Sequence, residues 1–300
     1  MILVTGAGGT VGSEVVKQLG AAGVKVRAGF HSAQNAEEAR RNGIDGIVLD
    51  FAKLETLRPA LASVDRVFLV SGNVPHQTEL ELNVVREAKR AGVMQVVKNS
   101  VWGAETDGFS FAKIHHPVEK EIVASGMAYT LLRPNGYMQN MNNSYGLTIR
   151  KQAAFYLPAS DARVSHIDAR DVARVAAAVL TDSGYAAQGQ RYELSGPEAL
   201  SYYEIAEKLS AVAGREISFV DISDQDFMKS TISSGMPKAA ACAVLELFHY
   251  YITGAASRVT HNVQTLTGHP ARTFDQYARD YANAFRGDAP AQQGATAPVS

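Results

Sequence analysis

The first hundred residues alternate short apolar runs with amphipathic stretches. The runs are rich in Val, Ile and Leu, as expected for strands that are buried on both faces of a parallel sheet. They predict strands over residues 1–5, 24–30, 44–50, 64–70 and 94–100. Between them, residues 11–22 and 80–91 place apolar side chains at helical spacing. Strand–helix alternation of this kind predicts β-α-β crossovers and therefore a doubly wound α/β fold.

The pattern continues less regularly after residue 100. Ser201 and Glu204 have the spacing of a capping box, so a helix is expected to start there and to end at Gly214. Strands are predicted over residues 127–133, 190–194 and 217–221, and helices over 117–125, 168–180, 224–233, 237–251 and 274–285. The predominance of helices predicts a smaller C-terminal lobe beside the sheet.

The domain boundaries are predicted from this change in the pattern of strands and helices. We predict a sheet domain over residues 1–155, to which residues 164–195 return, and a mostly helical lobe over residues 196–285. Residues 286–300 are small and polar, and they predict a disordered tail.

Composition excludes several classes of protein. The 300 residues contain 29 Lys plus Arg against 30 Asp plus Glu, so there is no basic excess to neutralise nucleic acid. A single cysteine, Cys242, excludes an internal disulfide and a multi-cysteine metal site. No apolar run approaches the ~20 residues of a membrane helix, and the first residues lack the charged region of a signal peptide. We therefore expect a cytoplasmic protein without a metal site, a membrane anchor or a nucleic-acid partner.

A glycine-rich turn follows the first predicted strand and opens the first predicted helix. It reads TGAGGTVG, with Gly6, Gly9 and Gly12 at every third position. Gly6 permits a tight turn, Gly9 lets the backbone approach a ligand, and Gly12 allows close packing of helix on strand. The free N–H groups at the start of a helix favour an anion. Because strand, turn and helix come in the required order, the motif predicts a dinucleotide site.

The end of the second predicted strand bears on the choice between NAD and NADP. An acidic residue there would hold the ribose 2'-hydroxyl group of NAD, but the sequence RAGFHSAQN contains none. Arg27, His31 and Ser32 are possible donors to a 2'-phosphate. The sequence therefore favours NADP, with NAD as a possible alternative, while His31 could equally be a solvated loop residue.

With these motifs in view, the chain resembles the NmrA-like branch of the atypical short-chain dehydrogenases/reductases over nearly its whole length. The likeness is strongest to the bacterial NAD(P)H-dependent quinone, azo-dye and triphenylmethane-dye reductases of that branch. It rests on TGAGGTVGSEVV, on Asp50 with LETL and residues 64–70, on HxxxE before SGMAYTLLRP, on VSHIDARDVA and on YELSGP.

The resemblance implies a Rossmann-type NADP-binding domain with a cleft between it and the C-terminal lobe. By match, the pyrophosphate would lie along Gly6, Gly9, Thr10, Val11 and Gly12. Asp50 and Phe51 would flank the adenine, and Val70, Ser71 and Gly72 would lie along the dinucleotide. His31 stands where many members carry Arg, a departure that allows use of both coenzymes.

The Tyr-x-x-x-Lys pair of ordinary short-chain dehydrogenases is missing from its expected place, since the segment reads SFAKIHHPVEK. Carbonyl reduction assisted by a Tyr proton donor is therefore not supported. His115 occupies the place of a catalytic or nicotinamide-contacting Lys in related reductases. It could hydrogen-bond the nicotinamide ribose or donate a proton, or, like His116, it could simply start the helix before Pro117.

Hydride delivery to a quinone or dye requires little acid–base assistance, so positioning is the main task. Candidate coenzyme or acceptor contacts follow the fifth and sixth predicted strands, at the sheet edge where ligands bind in such folds. They are Ser100, beside the coenzyme, and Trp102, Asn135, Tyr137 and Met138, beside the acceptor. Trp102 could stack on a planar acceptor or pack against the lobe. Near one helical face lie Tyr137, Met138, Met141 and Tyr145, which could line the acceptor site or belong to the core.

Two features have structural interpretations. Asp168 is expected to cap a helix whose dipole Asp171 complements, and Cys242 is expected to be a buried apolar residue. The main functional hypothesis is a reductase of planar conjugated acceptors, which could form a homodimer. The alternative is a non-catalytic NADP-binding redox sensor that acts on a protein partner. An isomerase or epimerase is disfavoured because Tyr-x-x-x-Lys is missing.

Overall fold

The computed structural model describes residues 1–182 and 189–287; most of the predicted tail, residues 288–300, lies outside the described residues. The strands are β1 Ile2–Val4, β2 Val26–Phe30, β3 Asp45–Val48, β4 Arg66–Leu69, β5 Gln95–Asn99, β6 Ala128–Pro134, β7 Ala154–Leu157, β8 Arg163–Val164, β9 Gln190–Leu194, β10 Leu200–Ser201 and β11 Ser218–Asp221. The helices are α1 Thr10–Ala21, α2 Ala33–Arg41, α3 Leu54–Leu61, α4 Gln77–Arg90, α5 Ser110–Ala124, α6 Asn140–Asn143, α7 Gly146–Gln152, α8 Ala169–Thr181, α9 Tyr202–Ala213, α10 Asp224–Ser233, α11 Lys238–Ile252, α12 Asn262–Thr267 and α13 Phe274–Asp280.

A parallel sheet forms the centre of the fold, which confirms the predicted Rossmann-type architecture. Within the described residues it has seven strands in the order β3-β2-β1-β4-β5-β6-β9. Every pairing between these neighbours is parallel. The strand order reverses between β1 and β4, and such a switch point leaves a crevice at the carboxyl ends of the strands.

Helices cover both faces of the sheet. Ile2 and Val4 of β1 pack with α1 and α8 on one face. Leu3, which points the opposite way, packs with α3, α4 and α5 on the other face. Because both faces are covered, the strands are buried on each side, which explains their continuous apolar runs.

The second half of the chain builds a lobe with its own aromatic core. This core includes Phe155, Tyr202, Phe219, Phe248 and Tyr277, which come from five different elements. Two small sheets brace the lobe, one formed by β7 and β11 and the other by β8 and β10. The capping box at Ser201 and the left-handed Gly214 that ends α9 are both present, as predicted.

The apolar contacts divide the chain differently from the predicted boundaries at two points. Met141, Ile149 and Phe155 pack in the lobe core although they lie before residue 156. Val263 and Leu266 of α12 pack on the sheet domain although they lie within residues 196–285. The boundaries at residues 155 and 196 therefore stay a prediction.

Helix α5 begins seven residues before the predicted start at residue 117. The backbone N–H and the hydroxyl group of Ser110 both donate to the Glu246 carboxylate of α11, at 2.8 and 2.7 Å. A cap supplied by a distant helix leaves no local sequence signal. Pro117 consequently lies inside the helix, where it cannot donate the usual backbone hydrogen bond. The suggestion that His115 starts the helix is therefore wrong.

Candidate functional site

A cavity of about 1320 Å³ lies along the carboxyl ends of the strands and extends to the lobe. At one end the glycine-rich turn lines it, and at the other end side chains from α10 and α11 line it. This volume exceeds the roughly 300–1,000 Å³ of an ordinary small-molecule pocket. The cavity therefore has room for two ligands side by side.

The glycine-rich turn is packed so tightly that side chains do not fit. Gly6 has φ +54°, and a Cβ atom there would lie 2.8 Å from the carbonyl oxygen of Val70. A Cβ atom at Gly12 would lie 2.3 Å from the carbonyl oxygen of Gly6. The turn consequently brings the start of α1 to the cavity, where Gly9, Thr10 and the glycines on either side line the wall.

The start of α1 is equipped to bind an anion. Gly9 is the N-cap residue, no side chain caps the helix, and the first turn from Thr10 carries no acidic residue. The first N–H groups of a helix have no partner within it and lie at the positive end of its dipole. Because these groups border the cavity, a diphosphate fits here.

The end of β2 meets the cavity through His31, Ser32 and Asn35. Arg27 points elsewhere: its guanidinium group donates to Asp45 at 2.9 Å and to the carbonyl oxygen of Ala62 at 2.9 Å. The expectation that Arg27 is free to bind a phosphate is therefore wrong. Among the described residues, neither Lys nor Arg lines the cavity.

Asp50 and Phe51 lie near this end of the cavity but do not line it. The Asp50 carboxylate accepts a hydrogen bond from the Ala52 N–H at 3.0 Å. This bond, followed by a hydrogen bond to and the charge of Lys53 and by the nearby His31, lowers the pKa of Asp50. Asp50 is thus held by its own turn, and the structure places neither it nor Phe51 on the cavity wall.

A buried polar network lies behind the wall formed by β4 and β5. Ser71, which lines the cavity, donates to the Glu81 carboxylate at 2.7 Å. Lys98 donates to the same carboxylate at 3.1 Å, and neither charged side chain is exposed. The Lys98 ammonium group also donates to the carbonyl oxygen of Asn99. The network fixes Ser71 and the end of β5, while Val70 and Gly72 line the cavity beside them.

His115 projects from α5 to the cavity wall and is 8% exposed. Its Nδ1 atom has no hydrogen-bond partner within the described part of the chain. Burial, and then the positive charge of Lys98, lower the pKa of His115 well below its ordinary value. The imidazole is therefore neutral at pH 7, so it is suited to hydrogen bonding rather than to donating a proton as an imidazolium.

Ser100 and Asn135 line the cavity, but other protein groups hold their polar atoms. The Ser100 hydroxyl group donates to Glu119 at 2.6 Å, and Glu119 also accepts two hydrogen bonds from Arg133. The Asn135 amide donates to the Ser165 hydroxyl group at 2.9 Å and to the Ala256 carbonyl at 2.8 Å. Both residues therefore build the wall.

Trp102 borders the cavity and packs against the segment after α11. It is 4% exposed, its indole N–H donates to the Ala255 carbonyl at 3.0 Å, and the Arg258 guanidinium lies 5.0 Å from the ring centre. Of the two interpretations of Trp102, the geometry favours packing over stacking on an acceptor.

Tyr137 and Met138 both follow β6, but their side chains lie in different environments. Tyr137 lines the cavity, and its hydroxyl group hydrogen-bonds Asn99 at 3.2 Å. Met138 is 1% exposed, packs in the lobe core and does not line the cavity. The expectation that Met138 contacts the acceptor is wrong because residue 138 points from the sheet edge into the lobe.

The lobe supplies a wall of which the sequence analysis indicated only Tyr145. Phenol and imidazole groups of Tyr202, Tyr251 and His166 line it together with Tyr145. These four residues come from four separate parts of the chain, so only the tertiary structure brings them together. The mixture of Tyr and Phe in α11 is typical of a helix that packs against a core, and it carried no signal for a site.

Other features of the described residues add little to the site. No cluster of three or more His, Cys, Asp or Glu residues in the described chain could hold a metal ion. None of the helices in that part of the chain is long and apolar enough to cross a membrane. Asp168 caps α8 as predicted, while Cys242 is half-buried rather than fully buried.

Comparisons with known proteins agree with this architecture. The chain is 37% identical over 286 residues to the NAD(P)H azoreductase of Xenophilus azovorans, covering 95% of this chain and 99% of the relative. The NADPH complex of the NADPH-dependent quinone oxidoreductase QOR2 from Escherichia coli superposes with a TM-score of 0.84 at 26% identity, covering 93% of this chain and 99% of that one.

A third relative is the Citrobacter triphenylmethane reductase, solved in complex with NADP(H). It superposes with a TM-score of 0.81 at 25% identity, over 94% of this chain and 99% of that one. The model of the NmrA-like family matches residues 1–277, which include the sheet domain and nearly all of the described lobe. The chain therefore belongs to the NmrA-like family.

Proposed function

We propose that this protein is an NAD(P)H-dependent oxidoreductase that delivers a hydride to a planar conjugated acceptor such as a quinone, an azo compound or a dye. The observation that carries the proposal is one continuous cavity of about 1320 Å³. It joins the glycine-rich turn, which suits a dinucleotide, to an aromatic wall in the lobe, which suits a flat acceptor. Coenzyme and acceptor can therefore lie next to each other in a single space.

The glycine-rich turn and the wall beside it would hold the coenzyme. The N–H groups of residues 10–12 would bind the diphosphate, and Val70, Ser71 and Gly72 would lie along the dinucleotide. His31 would face the ribose end, with Ser32 and Asn35 as further hydrogen-bonding groups. When bound, the reduced nicotinamide supplies the hydride.

His115 would contact the nicotinamide ribose or the acceptor. Because its pKa is lowered by burial, it acts as a neutral hydrogen-bonding group near pH 7. Quinones and cationic dyes are good electrophiles, so the protein accelerates the reaction mainly by holding the two reactants in contact. A strong general acid is not required for that role.

The relatives support this class of acceptor. The names of the similar proteins are those of an azoreductase, a quinone oxidoreductase and a triphenylmethane reductase. All three kinds of acceptor are extended conjugated molecules that can take up a hydride directly. The aromatic wall of the lobe fits such shapes.

The test is the oxidation of NADPH and NADH by purified protein across a panel of quinones, azo dyes and triphenylmethane dyes. Acceptor-dependent loss of reduced-nicotinamide absorbance is expected, with NADPH preferred. Tight binding of NADPH without oxidation by any acceptor would instead indicate the redox sensor. Failure to bind either coenzyme would overturn both functions.

A further inference from the structure

We propose that the hydroxyl groups of Tyr145, Tyr202 and Tyr251, called here the phenol cluster, bind the carbonyl oxygen of a quinone acceptor, and that His166 positions Tyr202. The inference rests on the proposed function and names the acceptor contacts within it. None of these residues belongs to the coenzyme half of the cavity, and the lobe holds all three phenols.

The cluster converges on the end of β6. A Cβ atom at Gly136 would lie 2.8 Å from the Tyr251 hydroxyl oxygen and 3.1 Å from the His166 Cδ2 atom. The Tyr202 hydroxyl group lies 3.5 Å from the His166 Nε2 atom. The lack of a side chain at Gly136 thus lets two polar groups of the lobe reach the sheet edge, beside Tyr137.

The phenols are available as hydrogen-bond donors. Within the described residues, the hydroxyl groups of Tyr145 and Tyr251 have no hydrogen-bond partner, although both residues line the cavity. Burial raises the pKa of each above its ordinary value. Burial, and then the neighbouring phenols, raise the pKa of Tyr202 as well. All three phenols therefore stay protonated at neutral pH.

The cluster is uncharged and rigid. Burial lowers the pKa of His166 to about 4, so its imidazole is neutral. Phe248 packs edge-on against both Tyr202 and Tyr251, with ring centres 6.1 Å apart in each case. Asp226 is the one carboxylate among the described lining residues, and Lys and Arg are missing from that lining. Such a wall suits a neutral carbonyl oxygen better than an anionic group.

The chemistry of the acceptor decides whether such donors matter. A hydride brings two electrons and one proton to a quinone and leaves negative charge on oxygen, and a second proton from solvent then completes the hydroquinone. Preorganised donors stabilise this developing charge. A triphenylmethane cation instead accepts the hydride at its central carbon and becomes neutral, so it needs neither an oxygen contact nor a further proton.

The experiment compares Tyr145→Phe, Tyr251→Phe and the double variant with the parent protein. The acceptors are 1,4-naphthoquinone and malachite green, with NADPH as the reductant. We expect kcat/KM for the quinone to fall about tenfold or more in the double variant, since loss of a preorganised donor is costly. The value for malachite green should stay within a factor of about two. Tyr203→Phe is the matched control, because Tyr203 is 50% exposed and does not line the cavity.

A binding measurement separates this inference from the proposed function. The chain contains a single tryptophan, Trp102, at the cavity wall, so quenching of its fluorescence reports naphthoquinone binding without any reductant. Weaker binding in the double variant, with an unchanged melting temperature, supports the phenol cluster even if no acceptor is reduced. Equal losses with both acceptors, or unchanged quinone kinetics and binding, would overturn it.

Discussion

Lys98 and Glu81 form an ion pair of 3.1 Å in which neither side chain is exposed to solvent. The pair joins β5 to α4 directly behind the cavity, and Glu81 also accepts the hydrogen bond of Ser71 on the cavity wall. Two charges removed from water are stable only while they remain paired and hydrogen-bonded. The cavity wall against which we place the coenzyme therefore depends on a buried ion pair that does not itself contact the coenzyme.

We expect Lys98→Met to destabilise the protein by about 3–5 kcal/mol, because it leaves the Glu81 carboxylate buried without its partner. The double variant Lys98→Met/Glu81→Leu should recover most of this loss, since no unpaired charge remains. Urea unfolding of the parent, both single variants and the double variant measures the coupling. Equal losses in Lys98→Met and the double variant would show that the pairing is unimportant.

The turn at the start of α1 offers a matched pair of glycine substitutions. Gly12→Ala would place a Cβ atom 2.3 Å from the Gly6 carbonyl oxygen, whereas at Gly20 no described heavy atom lies within 4 Å. We expect Gly12→Ala to weaken NADPH binding at least about tenfold, or ~1.4 kcal/mol, and to lower the melting temperature. Gly20→Ala, in the same helix, should instead be stabilising by up to ~1 kcal/mol.

Calorimetric titration with NADPH and thermal unfolding test this pair. A Gly12→Ala protein that binds the coenzyme as tightly as the parent would show that the turn does not hold the diphosphate. Similar effects of the two substitutions would show that helix propensity, and not close packing at Gly12, determines the outcome.

The sheet could be predicted because its signals are local. The continuous apolar runs predicted each strand from β1 to β6 to within two residues at either end, and β9 was predicted with the observed bounds Gln190–Leu194. The geometry of the glycine-rich turn is likewise local, since Gly6 and Gly12 belong to one short motif and also approach each other in space. Local packing constraints of this kind can be read from a single sequence.

Apart from Tyr145, the lobe side of the site could not be predicted, because its parts are distant in the chain. His166 and Tyr202 are 36 residues apart, and Ser110 is capped by Glu246 across 136 residues. Met138 and Tyr137 are adjacent yet face the core and the cavity respectively. Such differences follow from tertiary packing, which the hydrophobic periodicity of a sequence does not reveal.

Two adjacent histidines on α5 allow a controlled test of the proposed coenzyme contact. His115 lines the cavity, whereas His116 points away and pairs with Asp107 at 2.9 Å. We expect His115→Ala to lower kcat about tenfold, or ~1.4 kcal/mol, by removing a positioning hydrogen bond. His116→Ala should leave kcat unchanged. Steady-state kinetics with NADPH and a quinone decide, and unchanged turnover in His115→Ala would exclude His115 from the site.

The buried His166 makes stability depend on pH. Burial lowers the pKa of His166 to about 4 in the folded protein, whereas the ordinary pKa of a histidine is 6.5. Between these pH values the unfolded chain binds the proton and the folded protein does not, so acidification favours unfolding. We expect this group to remove about 3 kcal/mol of unfolding free energy as the pH falls from 6.5 to 4.

The variant His166→Gln should lack this contribution. As the pH falls, the unfolding free energy of the parent should therefore decrease more than that of the variant. Titratable groups common to both proteins contribute equally and cancel in the difference. Urea unfolding at several pH values between 4 and 7 measures it. A difference that does not vary with pH would mean that His166 titrates normally in the folded state.

His31 is the residue that we propose faces the ribose end of the coenzyme. It lines the cavity at the end of β2, where the described lining holds neither Lys nor Arg and Arg27 is bound to Asp45. A hydrogen bond from an exposed side chain contributes about 1 kcal/mol to binding a phosphate, or roughly fivefold. We therefore expect His31→Ala to raise the KM for NADPH about fivefold without changing that for NADH, and His31→Arg to strengthen the preference for NADPH. Parallel kinetics with both coenzymes provide the internal control, because a general disturbance of the turn would raise both KM values together.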